Sequence, residues 1–164
     1  MTFAVPALYI PADLWALTWS ELHRRSGGQV DAACAWAGER TSTAWTVKSV
    51  HFLDDFGAID AGPLHHRASR ASVEGLFDEM RRRGEDLIAD VHTHPEDWVD
   101  LSRTDREHPL EYRLGMLAVV LPWFAATAPS LRQVGVHEYV STATWRRLSG
   151  AEVAARFHIL GPSR

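Results

Sequence analysis

The apolar residues of the chain form short runs between glycine, proline and polar segments, and these runs predict an alternation of strands and helices. An apolar segment at residues 7–10 precedes Pro11, which suits the first position of a helix running to about Arg25. Apolar residues recur at helical spacing in this segment and predict core contacts at Leu14, Trp15, Leu17, Trp19 and Leu22.

Two compact apolar runs follow, at residues 32–37 and 44–53, and they predict a hairpin of buried strands across the sequence GERTST. Residues 54–71 are rich in Gly, His and Asp and predict a loop. Ser72 is the expected cap of a helix that presents one apolar face and ends at Gly84.

Further strands are predicted at residues 86–92, 115–121, 131–140 and 145–148, with a short helix at 151–157. The order of strand, helix and returning strand favours an α/β (α+β) fold, with a mixed sheet flanked by helices. The chain shows no internal repeat and no linker, so we expect one domain over residues 1–164.

Composition narrows the class of protein. The 164 residues include 46% hydrophobic and 23% charged residues, as in soluble globular domains, and the formal net charge is -4. The basic residues are scattered apart from the helix end at 81–83, so we expect no nucleic-acid partner. No apolar run approaches a membrane span, no signal peptide is evident, and Cys34 is the single cysteine; these features favour a reducing, cytoplasmic setting with a buried thiol.

The segment DVHTHPEDWVDLSRTD contains the residues with the clearest chemical pattern. His92 and His94 follow a predicted strand, in which alternate side chains point to the same face about 7 Å apart. Two imidazoles on one face can bind a single metal ion, although a structural histidine pair has the same spacing. Ser102 and Asp105 lie three residues apart and predict a capping box, and Asp105 is also a suitable third ligand for a catalytic zinc.

These residues resemble the JAMM motif of the JAB/MPN metalloproteases: HxH, seven residues, S, two residues, D, met here by His92, His94, Ser102 and Asp105. Pro95 and the order of predicted elements are also similar to that family. The resemblance implies a zinc-dependent isopeptidase that removes ubiquitin-like proteins, with one Zn²⁺ held by the two histidines and Asp105. A ubiquitin-like protein or its conjugate would be the partner, together with neighbouring conjugation enzymes.

The family also uses an acid, normally glutamate, seven residues before the glycine that closes the second strand. Counting back from Gly38 places Asp31 there, with a side chain one methylene shorter. We expect Asp31 to take a proton from the attacking water and Ser102 to stabilise the oxyanion. Glu39 is a fallback base outside the family's register, and Asp31 could instead be a polar turn residue.

The segment is also compatible with other functions and with other roles for its residues. A non-catalytic MPN-type scaffold is one, because Asp31 replaces the expected glutamate, and a zinc hydrolase of small amides or peptides is another. Trp98 either lines a substrate groove or packs the metal loop. His65 and His66 are expected at the surface, and Asp97 and Asp100 as solvated loop residues.

Overall fold

The elements are described for residues 5–161 of the computed structural model; residues 1–4 and 162–164, the outermost parts of the expected 1–164 domain, lie outside the described residues. The helices are α1 (Ala12–Ser26), α2 (Arg70–Arg83), α3 (Arg103–Glu107) and α4 (Gly150–Arg156). The strands are β1 (Ala7–Pro11), β2 (Ala33–Arg40), β3 (Ala44–Phe52), β4 (Ile59–Gly62), β5 (His65–Ala68), β6 (Asp86–Thr93), β7 (Leu117–Leu121), β8 (Gly135–Ser141), β9 (Thr144–Arg147) and β10 (Phe157–Leu160).

Eight of these strands form one mixed sheet in the order β10-β1-β3-β2-β6-β7-β8-β9. The β2–β3 hairpin is antiparallel, β6 pairs antiparallel with β2 and parallel with β7, and β1 lies parallel to both β3 and β10. Strands β4 and β5 form a separate hairpin. The predicted fold class, a single-domain mixed sheet flanked by helices, is confirmed.

The alternation of side chains along β2 divides the core into two layers. Cys34 and Trp36 point to one face and pack with α1, where the Trp36 indole donates to Thr18 Oγ1 at 3.0 Å. Ala33, Ala35 and Ala37 point to the other face, which α2 covers with Leu76 and Met80. Because alanines are small, this second face leaves room above the sheet for the polar side chains of β6.

Several predicted bounds require correction. Residues 54–71 contain the β4–β5 hairpin, and α2 is capped by Ser69, whose side chain accepts from the amide of Ser72 at 3.1 Å. Ser72 is inside the helix, where its buried hydroxyl donates to Leu53 O at 2.6 Å. In α1, Leu17 is exposed and not a core contact. β8 begins at Gly135, four residues later than predicted, and β10 was not predicted.

A turn of unusual backbone conformation follows β7. Trp123, Phe124 and Ala125 have φ angles of 52°, 50° and 53°, in the left-handed region that non-glycine residues rarely occupy. The turn is held by amides that donate to the loop after β6, from Trp123 to Glu96 O at 3.0 Å and from Phe124 to His94 O at 2.8 Å. The strained turn therefore fixes the backbone of the second histidine of the HxH pair.

Among the described helices, none combines the length and the apolar character that a bilayer crossing requires.

Candidate metal centre

His92, at the end of β6, and His94, just after it, bring their imidazoles together on the sheet face that α2 covers. Their ring centroids lie 5.0 Å apart, and both residues are buried. Asp105, in the first turn of α3, places Oδ2 at 3.2 Å from His92 Nε2 and 3.3 Å from His94 Nε2. The strand and the short helix thus converge at one point, as their spacing in the sequence predicts.

The separation of these three atoms fits a tetrahedral metal ion. With metal–ligand bonds of about 2.0–2.1 Å, two ligands of a tetrahedral zinc lie roughly 3.3 Å apart. Both Nε2 atoms are buried and have no hydrogen-bond partner within residues 5–161, although Asp105 is close to both. Buried polar atoms almost always have a hydrogen-bond partner. Two buried imidazole nitrogens that lack one and converge on a single point are therefore the arrangement expected of a metal site.

Asp31 completes the group. Its carboxylate and the three other donor atoms all lie within 4.8 Å of one another, so the shorter side chain does reach the site. Thr93, between the two histidines, donates to Asp31 Oδ1 from its amide at 3.0 Å and from its hydroxyl at 3.2 Å. The other oxygen, Oδ2, is buried and has no hydrogen-bond partner in the described residues. One oxygen is therefore anchored and the other is available for proton transfer.

The charges of the centre act on each other strongly. Burial raises the pKa of Asp31 to about 6, and the positive charge of His92 limits the rise. Burial alone would lower the pKa of His92, but the nearby carboxylate of Asp105 outweighs it and raises this pKa well above 6.5. Burial opposes the effect on Asp105 as well, yet His92 holds the pKa of Asp105 far below its ordinary range. The carboxylates around His92 therefore favour a positive charge at the centre.

Ser102 and Asp105 form the predicted capping box of α3. Ser102 Oγ accepts from the amide of Asp105 at 3.2 Å, and Asp105 Oδ2 accepts from the amide of Ser102 at 2.7 Å. The cap uses the oxygen of the serine hydroxyl as acceptor and leaves its hydrogen free to donate. The capping and chemical roles of Ser102 are therefore compatible.

A second set of contacts orients His94. Its Nδ1 lies 3.0 Å from Trp98 O, and donation from Nδ1 leaves Nε2 unprotonated for a metal. The Trp98 ring stacks on the same imidazole at 5.0 Å and 7° while remaining 46% exposed. Trp98 therefore packs the metal loop and also presents a surface to solvent beside the site.

Strand β8 supports the loop that leads to Ser102. The buried imidazole of His137 places Nε2 at 3.0 Å from Val99 O, and burial lowers the pKa of His137, which favours a neutral donor. A Cβ on Gly135 would lie 1.9 Å from the same carbonyl oxygen. The close approach of the loop to the sheet thus requires glycine at position 135.

The remaining predicted residues lie in different places. Glu39 is exposed, pairs with Lys48 at 3.4 Å and lies eight residues beyond Asp31 on an extended strand, more than about 20 Å away. Glu39 is therefore not part of the centre, and the prediction that it could replace Asp31 as the base is wrong. His65 is half-exposed beside Asp60, whereas His66 faces a cavity next to the metal ligands, where burial lowers its pKa to about 4. Neither histidine belongs to the metal-ligating group, and His66 is partly buried.

Asp90 is an acidic residue near the centre that the sequence motif does not include. It lies two residues before His92, on the same face of β6, and borders the same cavity. Burial raises its pKa to about 6. The spacing of two residues that pairs His92 with His94 also applies to Asp90, so strand periodicity could have identified it.

Comparison with known proteins gives a family and a structural neighbour. Residues 22–145 match the family model described as prokaryotic homologs of the JAB domain. The solution structure of protein DSY2949 from Desulfitobacterium hafniense is similar in fold, with a TM-score of 0.65 at 13% identity over 94% of each chain. At this identity the neighbour supports the fold alone.

Proposed function

The chain belongs to the family of prokaryotic homologs of the JAB domain, and on this premise we propose that it is a zinc-dependent isopeptidase or peptidase that cleaves a ubiquitin-like protein from its conjugate or precursor. One observation carries the proposal: two imidazoles and two carboxylates, buried and within 4.8 Å of one another, converge on one point. Two histidines and one aspartate are a nitrogen and oxygen ligand set found in catalytic zinc sites. Asp31 then remains as the general base.

Each residue of the centre has its own role in the proposed reaction. His92, His94 and Asp105 would hold the zinc, which when bound supplies Lewis-acid activation of water and of an amide carbonyl. Asp31 Oδ2 takes the proton of the attacking water and passes it to the departing amine. Its pKa of about 6 is suited to both transfers near neutral pH. The free hydroxyl hydrogen of Ser102 donates to the oxyanion that forms on the carbonyl.

The test combines metal analysis with cleavage. The purified protein is expected to contain about one zinc per chain and to release the fluorophore from ubiquitin-like proteins that carry a carboxy-terminal fluorescent amide. Asp31→Asn keeps an acceptor for both Thr93 donors, so this variant should retain zinc while its kcat falls by about 10²–10⁴. Asp97→Asn, which removes an exposed carboxylate from the same loop, is the matched control and should leave both unchanged.

Each alternative function predicts a different result. A non-catalytic scaffold binds ubiquitin-like proteins without cleaving them, and the carboxylate at position 31 is then unimportant for its activity. A hydrolase of small amides would cleave short fluorogenic peptides at least as well as the protein substrates. Normal cleavage by Asp31→Asn would show that the base is a different group.

A further inference from the structure

A cavity of about 210 Å³ opens beside the metal ligands, between the sheet and the β4–β5 hairpin. Its floor is made of small side chains because Asp90 pairs in register with Ala35 of β2 and Ala118 of β7. His66 lines the wall on the hairpin side, and Tyr112 and Trp145 line the opposite side. The cavity is smaller than the ~300 Å³ at the lower end of pockets for drug-sized ligands, so it suits a single side chain.

Asp90 is the polar group at the floor of this cavity. Burial is the main influence on its pKa, and the charges of His92 and Asp105 and the amide of Leu110 also act on it. No arginine or lysine within residues 5–161 pairs with it. Arg67 lines the exposed rim of the cavity and forms no ion pair with Asp90. The partly exposed carboxylate of Asp90 borders the open volume, where a positively charged side chain of a ligand would form an ion pair with it.

We propose that this cavity is a specificity pocket for a lysine or arginine side chain of the substrate, adjacent to the scissile amide, with Asp90 as its counter-charge. The proposal rests on the proposed function for the position of the scissile bond. Asp90 lies two residues from His92, about 7 Å along the strand. A substrate whose scissile bond lies at the metal would therefore place the side chain of a nearby residue close to Asp90. The rings of Tyr112 and Trp145 add surfaces that attract a cation or cover its aliphatic stem.

The first experiment measures binding and does not depend on catalysis. Nα-acetyl-lysine N-methylamide is titrated into the purified protein and followed by backbone amide NMR, with the norleucine analogue as the uncharged probe. The lysine probe should shift the signals of Ala118 and Leu110 and bind at least tenfold more tightly than the norleucine probe. Asp90→Asn removes the negative charge at nearly constant size and should abolish this preference, whereas Asp97→Asn, at an exposed position, should preserve it.

A second variant covers the case in which Asp90→Asn folds poorly. Arg67→Gln removes a positive charge from the rim of the cavity, and its side chain is exposed, so the fold is expected to tolerate it. The loss of repulsion should strengthen binding of the lysine probe by about twofold or more. Weaker binding by this variant would contradict a cation site.

The second experiment measures cleavage of quenched fluorescent peptides that differ only in lysine or norleucine beside the scissile bond. Asp90→Asn should lower kcat/KM for the lysine peptide at least tenfold and leave the norleucine peptide within twofold. Equal binding of both probes, or a lysine preference that survives Asp90→Asn, would overturn the pocket. A loss of zinc in Asp90→Asn would instead make Asp90 a positioning residue for His92. If the lysine probe binds as expected but no substrate is cut, the proposed function fails and the pocket stands.

Discussion

Zinc binding is expected to displace about one proton from the protein at pH 7.5, and that proton comes from His92. Asp105 Oδ2 lies 3.2 Å from His92 Nε2, and this carboxylate outweighs the effect of burial and raises the pKa of His92 well above 6.5. We therefore expect the imidazole to be charged at neutral pH before a metal binds. A metal coordinates the neutral ring, so binding must remove the proton.

The magnitude follows from linkage. Zinc competes with one proton wherever the pH lies below the raised pKa of His92, so the apparent affinity should increase tenfold, about 1.36 kcal/mol, for each unit of pH. The increase should level off above that pKa. Below about pH 6 a steeper dependence is expected, because Asp31, with a pKa of about 6, then carries a proton as well.

Two measurements test this reasoning. Calorimetric titration with zinc at pH 7.5 in buffers of different ionisation enthalpy gives the number of protons released. NMR of the metal-free protein gives the pKa of His92 directly, and Asp105→Asn should bring it down toward 6.5. His51→Gln is the matched control, since burial lowers the pKa of His51 and its loss should leave the proton count unchanged. Release of no proton, or titration of His92 at or below 6.5, would refute the charge arrangement.

Three further predictions concern the loop and helix that carry Ser102. Gly135→Ala places a Cβ 1.9 Å from Val99 O, so urea denaturation should show a loss of about 1–3 kcal/mol, and zinc affinity should fall with it. His137→Leu leaves that buried carbonyl without its donor and should cost about 1–3 kcal/mol, while His137→Gln, which retains a donor, should recover part of the loss. Ser102→Ala and Ser149→Ala each remove the serine of a capping box and should each cost about 1 kcal/mol in the same assay. Only Ser102→Ala should also lower kcat, by about 10²–10³; equal kcat values for the two variants would exclude the oxyanion role.

The parts of the fold predicted well are those that local patterns specify. The apolar runs of β2, β6 and β7 lie in central strands that are largely buried on both faces, and such strands read as continuous hydrophobic segments. Strand β3 instead alternates between buried and partly exposed residues. The HxH spacing and the Ser102–Asp105 capping box depend on strand and helix periodicity, so the sequence predicts which side chains share a face. That Asp31 reaches the centre depends on the pairing of β2 with β6, which a single sequence does not specify.

The elements that were missed have weak local patterns. Strands β4 and β5 have four residues each and contain Gly, His and Asp, so neither alternation nor β-propensity distinguishes them from a loop. Ser69 and Ser72 both precede an apolar stretch, so the sequence does not specify which of them caps the helix, and only the tertiary contact of Ser72 with Leu53 distinguishes them. β10 forms an edge strand through its parallel pairing with β1, a contact between distant segments.

The position of β1 between β3 and β10 has a consequence for the order of folding. Leu8 pairs with Phe157, so roughly 150 residues separate these partners along the chain, and contacts of such high sequence separation form late. The antiparallel β2–β3 hairpin and the adjoining β6 and β7 have shorter connections and contain Asp31, His92 and His94 on or beside them. The residues of the metal centre therefore lie on strands whose pairing does not depend on the closure of the sheet edge by β1 and β10.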